Sequence, residues 1–213
     1  MKRILTAAGL SLAASPAFAH HPLNGMPMET FAHGVLSGVG HPVLGFDHFF
    51  FIVAMGIAAL FTGRKLITPA AYIVAMLVGC SLMYAGIAMP LAETIIVLSL
   101  IVLGGIVLSG KALGAPTAIA LFAIFGLFHG SAFGGSIAGQ EGGVGGAVLI
   151  GYLLGLGVIQ YLIAIAAGSI VEKLGASEAS AINARLGGAM VAGVGIFLAL
   201  EIVEGPLVAL IAA

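Results

Sequence analysis

LAETIIVLSLIVLGGIVLS, residues 91–109, holds one charged side chain, Glu93, in 19 positions. That length and polarity match the roughly 20 apolar residues a helix needs to cross a bilayer core. Pro90 bounds it on one side and Gly110-Lys111 on the other. Five more runs read the same way. The first covers about residues 43–61 and ends at Gly63-Arg64-Lys65, and the second covers about 69–89, up to Pro90. After the quoted run come about 116–136, which opens into Gly139-Gln140-Glu141, and about 144–171, which ends at Glu172-Lys173. A polar loop through Ser177, Glu178, Asn183 and Arg185 leads to the last, about 186–210. The expected fold class is therefore all-α: a polytopic membrane protein with six transmembrane helices.

Composition leaves little else. Of 213 residues, 61% are hydrophobic and 7% charged, and the mean hydropathy is +1.24. Soluble domains carry about 25% charged residues, so seven Lys/Arg and eight Asp/Glu cannot coat a water-soluble globule of this size. A soluble enzyme is excluded. The net charge of -1 offers no basic patch to nucleic acid, and disorder needs low hydrophobicity and high charge. Thirty-three glycines suit helices that pack closely inside lipid, and leave homo-oligomer formation open. The single cysteine, Cys80, rules out an intramolecular disulfide framework.

At the N-terminus, Lys2 and Arg3 precede an apolar run from Ile4 to Ala14, and Ala17-Phe18-Ala19 has the small-x-small pattern of a signal cleavage site. The expected organisation is a signal peptide at 1–19, a periplasmic N-terminal segment at 20–40 and a six-helix transmembrane domain at 41–213. Residue 20 then lies outside, and the inner loops follow spans one, three and five. Arg64, Lys65, Lys111, Lys173 and Arg185 all fall in those loops, which satisfies the positive-inside rule without exception. Both termini are expected in the periplasm of a bacterial inner-membrane protein. The outer side collects Glu29, Asp47, Glu93, Glu141, Glu201 and Glu204, and all six histidines. Such a face concentrates divalent cations.

The densest cluster is His41-Pro42-Val43-Leu44-Gly45-Phe46-Asp47-His48, placed at the outer mouth of span one. Ionisable residues at membrane depth are costly and mark ion pathways. Imidazole nitrogen with carboxylate oxygen suits nickel, cobalt, copper or zinc rather than magnesium or calcium. On one straight helix His41 and His48 stand about 10 Å apart along the axis, too far to share an ion. Either they are successive stations, or Pro42 and Gly45 break the helix and fold them together, as discontinuous transporter helices do. A second candidate is His129, followed by Gly130-Ser131-Ala132-Phe133-Gly134 in span four.

Weaker candidates surround these. His20 and His21 would follow the cleavage site, and Glu29 and His33 stand four apart on an expected short outer helix. Glu93 is placed to cap span three, and Glu201 lies deeper in span six than Glu204. Met76, Cys80 and Met83 form a stripe on span two that packing explains better than a soft cation does. Gly151-x-x-x-Gly155 is a helix-contact motif. There is no H-E-x-x-H, G-x-S-x-G, Walker motif or C-x-x-C-H, so neither a prosthetic group nor the chain's own nucleotide hydrolysis is indicated.

The signal-like N-terminus, the His41-Pro42-x-x-Gly45-x-Asp47-His48 octapeptide and the later His129-Gly130 in a six-span chain resemble the HupE/UreJ family. That resemblance implies a nickel permease, with cobalt for some members, linked functionally to hydrogenase or urease maturation. It implies His41, Asp47 and His48 as metal residues of the first helix, and His129 as that of the fourth. In the family the second motif often continues His-Gly-x-Ala-His-Gly-x-Glu. Here Phe133 stands at its second histidine and Ser136 at its glutamate, with Glu141 five residues later.

The expected activity is import of Ni2+ or Co2+ from periplasm to cytoplasm, with the metal as cargo and lipid as the surroundings. Two rivals use the same residues. An intramembrane zinc hydrolase needs a third protein ligand and an activated water. A haem protein would use His48 and His129 as axial ligands. The discriminator is whether the site is a closed catalytic cage or lies on a continuous pore through inner-half small and polar residues such as Ser99, Ser109 and Gln160.

Overall fold

The computed structural model describes residues 27–140 and 144–212, which form seven helices. They are α1 (Phe31–Leu44), α2 (Phe46–Leu60), α3 (Ile67–Tyr84), α4 (Ala92–Ser109), α5 (Ala115–Ala138), α6 (Gly146–Lys173) and α7 (Ile182–Ala212). Helices α3 to α7 are each long and apolar enough to cross a membrane. Their positions follow the last five apolar runs. Val74, Ile124, Leu154, Leu162 and Phe197 stand outward, while His48, Ser99, His129 and Gln160 are buried. That inversion is the stable one in lipid, where no water is available to solvate polar groups on the outside. The protein is a multi-pass membrane protein.

The first expected span departs from a straight rod. Helix α2 has 15 residues, about 22 Å at 1.5 Å per residue, against a core of about 30 Å. Helix α1 precedes it at a bend of 79°, and the two together are long and apolar enough for a broken span or a re-entrant loop. Residues 31–40, expected ahead of the membrane domain, belong to α1 and pack along α6. The break has a local cause. Pro42 lies in the last turn of α1, where it contributes no N–H. Gly45 then leaves helical geometry at φ -82° and ψ 103°, with its N–H donating to His41 O. A Cβ at Gly45 would lie 3.0 Å from His48 Cδ2 and 3.1 Å from His41 O, so a larger residue there would press on both histidines.

Glycine faces hold the bundle. On α5, Gly126, Gly130 and Gly134 lie against the backbone of Tyr72, Met76 and Cys80 on α3. Gly151 and Gly155 of α6 receive α1 at Phe31 and Val35, and Gly34 and Gly38 of α1 approach Val148 and Tyr152 in return. The contact motif at Gly151 thus docks the broken helix. Met76 and Cys80 are buried against the α5 glycines. Gly104 on α4 meets Gly188 and Ala192 on α7 in the same manner.

Helix α2 occupies the centre. It touches each of the other six helices, and Phe51, Ile52, Ala54 and Met55 have no exposed surface. One end of the bundle is basic. Lys65 pairs with Glu172 at 2.8 Å, Arg185 Nε donates to Leu108 O, and Lys173 ends α6. Helix α6 therefore runs from Gly146, at the opposite end, to the basic end at Lys173.

Candidate metal site

The break between α1 and α2 puts the octapeptide inside the bundle. His48 is 5% exposed and His129 fully buried. Their partner Ser99 sits near the middle of α4 (Ala92–Ser109). The cluster expected at an outer mouth is thus a buried centre, enclosed by the packed helices. Asp47 stands in the first turn of α2, where the helix dipole favours a carboxylate. Its Oδ1 accepts the His48 backbone N–H at 2.8 Å.

A chain of hydrogen bonds assigns the protons. Ser99 Oγ donates to Ile96 O at 2.6 Å, so it accepts from His129 Nε2 at 3.0 Å. With its proton on Nε2, neutral His129 presents a lone pair at Nδ1, which accepts from His48 Nδ1 at 2.9 Å. Neutral His48 then directs the lone pair of Nε2 toward the side of Asp47, whose Oδ2 lies 3.8 Å away. Aromatic rings fix the two imidazoles. Phe51 lies 4.4 Å from His129 and Phe133 lies 4.2 Å from His48, centroid to centroid.

His41 closes the side away from the basic end. Its ring is 5.8 Å from that of His48, so the helix break has folded the two together. Its Nδ1 lies 3.0 Å from Tyr152 Oη and 3.2 Å from Ser136 Oγ, and Tyr152 donates to Phe133 O. Phe133 packs edge-on against His41 at 5.0 Å. Both positions that depart from the family's second motif, Phe133 and Ser136, therefore touch the site as an apolar wall and a neutral hydroxyl.

The weaker candidates lie elsewhere. Glu29 precedes the N-cap Thr30, so it does not share a helix face with His33; its N–H donates to His33 Nδ1 at 3.3 Å. Glu93 is exposed in the first turn of α4, which has no side-chain cap. Glu201 and Glu204 are exposed on α7, which packs chiefly on α4. His20, His21 and Glu141 lie outside the described residues, as does the expected signal peptide. Ser109 is exposed and bonds Ile106 O, away from the centre. Among the described residues, no three His, Cys, Asp or Glu side chains close into a ready-made metal cage.

Sequence reasoning gave Tyr152, Ser136 and Phe51 no role, and Ser99 only a place on a path. Tyr152 had one available signal, since a tyrosine midway along an apolar run needs a buried partner for its hydroxyl. The geometry also bears on the rivals. A haem cannot enter between imidazole nitrogens 2.9 Å apart. A hydrolytic zinc site needs three protein ligands, more than the described residues bring together.

A family model described as "HupE / UreJ protein" matches residues 8–198. The chain is 32% identical over 163 residues to "Protein HupE" of Rhizobium leguminosarum bv. viciae, covering 73% of this chain and 85% of that protein. No solved structure matches.

Proposed function

The chain belongs to the HupE/UreJ family, a family of permeases rather than enzymes, and from that premise we propose that it imports Ni2+ or Co2+ across the bacterial inner membrane. The feature that carries this reading is the pair of donors formed by His48 Nε2 and Asp47 Oδ2, 3.8 Å apart. Two donors at about 2.0–2.1 Å from one ion stand roughly 3 Å apart at ordinary coordination angles, so a small approach of these two side chains would place both on one ion. Nitrogen with carboxylate oxygen selects the later divalent metals over magnesium and calcium.

His129 acts on the ion through His48. Both of its nitrogens are engaged, with His48 and Ser99. A metal-binding histidine ordinarily donates its other ring N–H to a fixed acceptor, which sets its tautomer and raises its basicity. His129 supplies that acceptor. His41, half-buried and held by Tyr152 and Ser136, is the station before the pair. The outer histidines and carboxylates, His20, His21, Glu29, Glu141 and Glu201 among them, raise the local cation concentration.

A shallow donor set suits transport, because a carried ion must enter favourably and still leave. The basic end faces the cytoplasm, both termini lie in the periplasm, and the nickel enzymes hydrogenase and urease are the consumers. Cells lacking their own nickel and cobalt transporters test this. With this chain they should accumulate labelled Ni2+ or Co2+, and a reporter fused after Lys111 should read cytoplasmic. No accumulation of either metal at normal membrane levels, or a periplasmic reporter, would contradict it.

A further inference from the structure

Gln160 carries a polar amide into the middle of α6 with no exposed surface. Its Oε1 accepts from Tyr72 Oη at 2.8 Å, and its Nε2 donates to Leu156 O at 3.2 Å and faces Met76 Sδ at 3.7 Å. Tyr72 and Met76 are also fully buried. This group lies next to the histidines, with the Tyr72 ring 5.8 Å from that of His129. It also lies on their basic-end side. Helices α3 and α5 run parallel, with Tyr72 beside Gly126 and Met76 beside Gly130, so Tyr72 is one turn nearer the basic end than His129.

We infer that Gln160, Tyr72 and Met76 form a second cation station, which takes the metal from His48 and Asp47 and passes it toward the basic end. The inference rests on the permease reading above. Amide and phenol oxygen and thioether sulfur are neutral donors, and the softer ones suit the later transition metals. Without a carboxylate the site holds a divalent ion weakly, as a release step requires. The run of neutral oxygens continues beyond it. Thr68, fully buried one turn further along α3, donates to Arg64 O and stands 3.5 Å from Thr62 Oγ1.

The place of the group argues against interhelical glue as its whole purpose. Helix α3 packs chiefly on α5, and α6 chiefly on α1 and α2. The glycine-to-backbone contacts of α3 and α6 are with those partners. Between α3 and α6 themselves, Gly157 faces only the side chains of Ile73 and Leu77, at 3.5–3.9 Å. The Tyr72–Gln160 bond thus bridges a seam closed by side chains, which rotamer changes can open, and not a locked backbone interface.

The test compares equilibrium Ni2+ binding to the purified full chain with labelled Ni2+ uptake by cells. In Y72F and Q160L, binding should keep wild-type affinity, since His48 and Asp47 are untouched. Maximal uptake should fall by about tenfold or more, the effect of one lost donor on a barrier, at an unchanged half-saturating concentration. Q160E keeps the oxygen and adds charge, so the purified protein should bind a second Ni2+ and release it slowly. Unchanged maximal uptake in both Y72F and Q160L would overturn the inference. So would a decline that merely tracks membrane level and thermal stability, or a single bound ion in Q160E. If H48A abolishes uptake while these variants stay normal, only this station falls. If H48A is also silent, the permease reading falls with it.

Discussion

Replacing His48 or Asp47 by alanine abolishes metal uptake while leaving the protein in the membrane at near-normal amounts. Each change removes one of two donors facing a common gap, and neither leaves a buried charge behind. His48→Ala leaves His129 Nδ1 without its hydrogen bond, a modest cost in a bundle held by glycine contacts. His129→Ala should fall short of complete loss. It removes the acceptor that sets the His48 tautomer, and losses of such supporting partners typically cost about 10–100-fold in affinity or activity. Ser99→Ala, one link further out, should cost less again. Met83→Leu is the control, a volume-conserving swap at a half-buried position beside Gly134, and should transport normally. Labelled nickel uptake normalised to membrane abundance ranks the series. Survival of uptake in both His48→Ala and Asp47→Ala would exclude the donor pair.

The largest structural effect is expected at Gly130. A Cβ there would lie 2.0 Å from Met76 O and 2.8 Å from Cys80 N, both backbone atoms of α3. Backbone cannot swing aside as a side chain can, so the two helices must separate along the face that Gly126 and Gly134 also form. Overpacking typically costs about 1–3 kcal/mol and occasionally more. Gly130→Ala belongs at the top of that range, and Gly130→Leu should prevent accumulation of folded protein. Gly105→Ala separates this clash from a general effect of added methyl groups. Nothing lies within 4 Å of a Cβ at Gly105, and removing a mid-helix glycine gains roughly 0.5–1 kcal/mol. Thermal unfolding in detergent should show Gly130→Ala well below wild type and Gly105→Ala level with it or above. Equal stability of Gly130→Ala and wild type would refute the packing argument.

Much of the fold was legible because lipid imposes a one-dimensional rule. Five apolar runs became helices α3 to α7 with shifted ends, and the loop bases gathered at one end of the bundle. For the first run a break was one of two open alternatives, because hydropathy records depth and is blind to direction. Pro42 and Gly45 announced a break, but neither its angle nor the helix formed by Phe31–Leu44 follows from their presence. The site was legible in its residue types and hidden in its pairing. His48 and His129 are 81 positions apart, and their contact depends on the central place of α2. Ser99 reads only as one polar residue on an inner path until its hydroxyl is found against His129. Glu201, by contrast, stands exposed on the last helix, away from the histidines, a placement that depth in the sequence does not give.

The donor pair itself is open to direct inspection. Nickel K-edge absorption on the purified, nickel-loaded chain reports the atoms bound to the ion. The spectrum should carry the outer-shell scattering of an imidazole ring, and that signal should vanish in His48→Ala. An imidazole signal of undiminished strength in His48→Ala, or its absence from the wild-type protein, would contradict the site proposed between His48 and Asp47.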